Sequence, residues 1–127
     1  VDPVEALRKL VTFTWHYFLE HPEFISLLGS ENLMRAANLR KSSKIREMHS
    51  PLVQLLDTIT TKGHRQGLFR PDIDPVQLYV SIASLGFFYL SNHHTLSTIF
   101  DRDLRADDAL AQRLEHMTDV ILGYVRA

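Results

Sequence analysis

"GLFRPDIDPVQLYVSIASLGFFYL", residues 67–90, sets a turn directly against a helix opening. Residues 67–75 hold Gly67, Pro71, Asp72, Asp74 and Pro75, so turn formers leave no room for a strand of ordinary length. Asp74-Pro75-Val76-Gln77 then reads as a helix start. The Asp can cap a backbone N–H, the proline gives up an N–H that would be orphaned anyway, and Gln77 can reach back.

The same phrase opens the chain as Asp2-Pro3-Val4-Glu5, and Pro22 and Ser50-Pro51 mark two further starts. Asp107 or Asp108 can cap a final helix. Gly63 and Gly67 flank the end of the third helix. Helices are expected over residues 3–20, 22–40, 50–65, 75–100 and 107–125. The fourth is too long to be straight, and Ser91-Asn92-His93-His94 is the expected break, because Ser and Asn side chains compete for backbone groups. No segment alternates with period two over more than a few residues, so the fold class is all-α.

Composition narrows the function. At 127 residues the chain is one domain's worth. A hydrophobic content of 45%, a charged content of 23% and a net charge of -1 describe an ordinary globular protein, neither disordered nor coating nucleic acid. There is no cysteine, hence no disulfide framework and no thiolate zinc site, which fits a reducing cytoplasm. No apolar run reaches the roughly 18 to 20 residues that cross a bilayer. The sequence enters helical pattern at Val1-Asp2-Pro3 without an initiator methionine, the expectation for a piece of a longer chain.

Two helices carry heptad-like stripes. Leu78, Ile82, Leu85 and Tyr89 form one, and Leu110, Leu114, Met117, Ile121 and Tyr124 the other, at spacings of four and three. Such seams favour side-by-side packing at about +20°. Two readings follow: the pair is half of a four-helix bundle completed by a second copy, or both stripes face the chain's own core.

A second segment, "TFTWHYFLEHPEF" (12–24), is apolar around its whole circumference, with His16 in its midst. A helix apolar on every side is expected to be buried on every side. One rotation lets Trp15, His16 and Tyr17 line a cavity, with His16 as its polar handle. The other leaves Phe13 and Tyr17 in the cavity and His16 in the core. Tyr79, Ala83, Gly86 and Phe87 lie along one side of the fourth helix and would form the opposite wall. Gly86 permits close approach there, at a cost of about 1 kcal/mol relative to Ala.

His16 and Glu20 share a helix face and could offer two metal ligands, yet no H-E-x-x-H, paired-carboxylate or phosphate-loop spacing occurs. The reading is no enzyme, no metal and no cofactor. The basic run over 35–49 reads as a solvated helix end, with Arg40, Lys41 and Lys44 near the helix's negative pole.

Taken together, "DPVEALRKLVTFTWHYFLEHPEFISLLGSENL" (2–33), "GLFRPDIDPVQLYVSIASLGFFYLSNHHTLSTIF" (67–100) and the closing amphipathic helix resemble the C-terminal regulatory domain of TetR-like bacterial transcription regulators. The resemblance covers nearly the whole chain, in order. It implies that residues 1–127 are an effector-binding and dimerisation domain of five or six helices in an orthogonal bundle. The last two long helices would form a four-helix-bundle interface in a cytoplasmic homodimer, the other helices would enclose an unknown small-molecule effector, and no membrane is involved. Operator DNA would be reached only through a separate N-terminal helix-turn-helix domain. A free-standing helical module with a solid core and a metal-dependent enzyme are the rival readings.

Overall fold

The computed structural model describes the backbone of residues 2–38, 40 and 43–127, and the side chains of these residues apart from 43–50. Six α-helices follow one another: α1 (Pro3–Glu20), α2 (Pro22–Leu33), α3 (Ser43–Arg65), α4 (Pro75–Ser91), α5 (His93–Phe100) and α6 (Asp107–Val125). Among the described residues the only extended pairing is an isolated bridge between Phe69 and Arg126. The fold is all-α.

The starts of α1 and α4 follow the capping chemistry, whereas α6 does not: Ala106 precedes it without a side-chain cap, and Asp107 and Asp108, expected to cap it, lie in its first turn. Asp2 Oδ1 accepts the Val4 N–H at 2.9 Å, and Asp74 Oδ1 accepts those of Val76 and Gln77 at 2.9 and 3.4 Å. His21 ends α1 by donating its N–H to the Tyr17 carbonyl, and Pro22 then begins α2. The expected break after Ser91 falls at Asn92. Its side-chain amide and its backbone N–H both donate to the Phe88 carbonyl, at 3.0 and 3.1 Å, and separate α4 from α5.

Two boundaries differ from expectation. α2 stops at Leu33 instead of running to residue 40, because Arg35 and Ala36 turn left-handed, with φ of 56° and 60°. The Ala36 N–H closes that turn on the Glu31 carbonyl at 2.7 Å, a glycine-free version of a common helix stop. The basic run therefore does not continue α2: Arg40 lies beyond its end, while Lys41 and the Lys44 side chain fall outside the described residues. α3 begins at Ser43, so Pro51 lies within the helix and not at its first turn. The Ser50 side chain, expected to cap there, is outside the described residues.

α1 is the centre of the bundle, packed on α2, α3, α4 and α6. Its Leu7, Leu10, Val11, Trp15 and Phe18 are buried against Leu56 and Ile59 of α3, Leu78, Ile82 and Tyr89 of α4, and Met117, Ile121 and Val125 of α6. The α3–α4 turn is held to the end of the chain. The Arg70 N–H donates to the Val125 carbonyl at 2.7 Å, and the Ala127 N–H donates to that of Leu68 at 3.1 Å. No helix of the described residues is long and apolar enough to cross a membrane.

Candidate functional site: an aromatic cleft around α1

One face of α1 passes from the core into a cleft. Phe13, Thr14, Tyr17 and Phe18, at spacings that place them on one side of the helix, border a cleft of about 260 Å³. Phe24 of α2, Pro51 and Leu52 of α3 and Tyr79 of α4 complete its lining. The aromatic rings brace one another. Tyr17 meets Phe24 edge-on with centroids 5.4 Å apart, Phe18 stacks on Phe24 at 6.2 Å, and Phe13 lies 6.4 Å from Tyr17.

The lining described carries no charged side chain. The Thr14 hydroxyl is spent within the helix, donating to the Leu10 carbonyl at 2.9 Å. Burial, reinforced by nearby Tyr17, pushes the Tyr79 phenol above its ordinary value and keeps it protonated. A cleft with aromatic walls and two phenolic groups suits a small, flat, largely apolar molecule.

Of the expected pocket residues, Phe13, Tyr17 and Tyr79 line this cleft. Trp15 instead sits in the core, edge-on to Tyr89 at 5.9 Å. His16 is neither handle nor core: it is exposed, on an outward stripe with Lys9, Phe13 and Glu20. The expectation that this helix is buried on every side is corrected by that stripe. Its charged ends, Lys9 and Glu20, at spacings of four, three and four through Phe13 and His16, were the signal for it. Ala83 and Phe87 are half-buried beside the cleft, and Phe87 meets Phe18 edge-on at 6.3 Å. Gly86 lies beneath, where an added β-carbon would come within 3.3 Å of Phe18 and 3.4 Å of Trp15. Sequence reasoning missed Thr14, Phe18, Phe24, Pro51 and Leu52. Among the described residues, no three His, Asp or Glu side chains gather as a metal site.

The heptad stripes lie mostly inside the chain. Leu78, Ile82, Tyr89, Met117 and Ile121 are all buried in the chain's own core and leave little surface for a partner, while Leu85, Leu110 and Leu114 are half-buried. Tyr124 alone of these residues is exposed, under the guanidinium of Arg70 at 4.7 Å. α4 and α6 are joined by Arg113, whose Nε and Nη2 donate to the Leu85 carbonyl at 3.2 and 2.8 Å. The outer surface of this pair is a different one. Val76, Val80 and Phe88 stand exposed on α4, a helix with no charged residue from Pro75 to Ser91, and Val120 and Tyr124 stand exposed on α6.

Residues 3–121 match the family of tetracyclin repressor-like C-terminal domains. The chain belongs to that family. It is also 42% identical over 125 residues to the HTH-type transcriptional repressor NicS of Pseudomonas putida, an alignment covering 98% of this chain and 59% of NicS. The chain thus spans about three-fifths of the length of that relative. The family is one of transcription regulators rather than enzymes.

Proposed function

We propose that this domain senses a small-molecule effector and dimerises, and that it thereby governs operator binding by a helix-turn-helix domain of a bacterial, cytoplasmic repressor. The observation that carries the reading is the aromatic cleft, bounded by four helices of which α1 is the hub of the bundle. A ligand wedged among Tyr17, Phe24, Leu52 and Tyr79 favours one packing of α1 to α4 over another. Differential affinity of this kind is typically worth about 1 to 3 kcal/mol of coupling between sites. The charge-free outer face of α4 supports the second half of the reading. Exposed Val80 and Phe88, beside Val120 and Tyr124 on α6, offer a self-complementary apolar surface to a second copy.

NicS is a helix-turn-helix repressor, and its likeness supports the same division of labour: DNA read by one part, effector and partner by the other. Native mass spectrometry of the purified domain tests both claims together. The expected spectrum shows twice the chain mass with a retained small molecule. A bare monomer whose melting temperature no metabolite raises overturns the reading.

A further inference from the structure

A second cleft, of about 440 Å³, opens between α1, α2 and the junction of α4 with α5. We infer that it is a separate binding site for a small carboxylate carried on an apolar body. Its floor is hydrocarbon, from Phe18, Ile25 and Leu90, and its rim carries the hydroxyls of Ser26 and Ser91. At the far end stand two cationic or cationisable groups, Arg105 and His93. An apolar floor running to a cationic end matches a molecule with the opposite arrangement of charge.

Three observations point to an anion. The Arg105 guanidinium makes no hydrogen bond or ion pair among the described residues, so its forked donors are available for bidentate contact. Arg105 and His94 lie close enough to His93 to act on its charge. Burial first, then His94 and Arg105, hold His93 below its ordinary value, while Asp103 pulls the other way. Finally, α5 begins beside the cleft without a side-chain cap, and its start adds a partial positive charge. The aromatic cleft has none of these features. Among the described residues, Phe18 is the one that the two linings share.

The test is an NMR titration of this chain with benzoate, benzyl alcohol and inorganic phosphate, each alone. Benzoate is expected to saturate, with the largest amide shifts at Ser26, Leu90 and Ser91. Arg105→Gln should weaken it by roughly tenfold or more, as loss of a charge-assisted contact does, with Arg105→Lys in between. Asp103→Asn, which removes the opposing carboxylate, should tighten it. Because Arg105 is exposed, these variants leave the core untouched. The inference is overturned if benzyl alcohol or phosphate binds as well as benzoate, or if Arg105→Gln binds like the parent. It is equally overturned if the shifts fall at Phe13 and Tyr79, or if benzoate does not saturate.

Discussion

The ring of Phe69 occupies the space into which a β-carbon on Gly63 would project. Gly63 lies in the last turns of α3 and Phe69 in the turn that follows, so the chain folds back onto its own helix there. Gly63→Ala is expected to destabilise the domain by about 1–3 kcal/mol through overpacking, although alanine is intrinsically better than glycine in a helix by about 1 kcal/mol. A lower urea midpoint with an unchanged slope would show it. An unchanged midpoint would mean that the ring moves aside freely.

Neighbouring residues on α1 should behave oppositely. Trp15, 1% exposed, should cost about 3–5 kcal/mol when truncated to alanine. His16→Ala, on the outward stripe, should stay within about 0.5 kcal/mol. Equal losses in thermal unfolding would refute the orientation of α1.

The starts of the helices were legible because proline and aspartate act locally: Pro3, Pro22 and Pro75 each begin the helix expected of them. Pro51 misled because a proline within a helix, though it removes a hydrogen bond and crowds the carbonyl four residues back at a cost of about 3 kcal/mol, is tolerated here inside the 23 residues of α3. The end of α2 was illegible because Arg35 and Ala36 go left-handed without glycine or asparagine to announce it. The stripes on α4 and α6 were visible as periodic apolar faces, but periodicity does not say whose surface a face meets. Of the cleft, the aromatic residues near Phe13 were visible. Its third wall, Pro51 and Leu52, depended on how α3 crosses α1, which no spacing encodes.

Stability should fall in alkali. Burial raises the phenols of Tyr79 and Tyr89 above their unfolded value, near 10. Their contribution is therefore fully present below that value and is lost as pH rises through the higher folded values. Tyr79→Phe should flatten the decline measured by denaturant titration at several pH values above neutrality. An unaltered slope would exclude Tyr79 as its source.

The outer face of α4 gives a sharper test of assembly than the buried seam does. Phe88→Glu should yield a folded monomer in light scattering, because Phe88 is 57% exposed, whereas Ile82→Glu, at 0%, should unfold the chain. A Phe88→Glu dimer as tight as the parent would move the interface elsewhere.

The paired peptides that bind Arg70 to Val125 and Ala127 to Leu68 form a clasp between the chain's tail and the elbow joining α3 to α4. A clasp at the elbow limits which motions are cheap. The clasp ties the end of α6 to the turn that leads into α4, and Arg113 ties α6 to α4 itself at the Leu85 carbonyl. Tyr79 of α4 lines the aromatic cleft, while Phe88 of α4 and Val120 of α6 stand exposed. On the proposed function, a displacement of α4 felt at Tyr79 would be shared with α6 through these two ties.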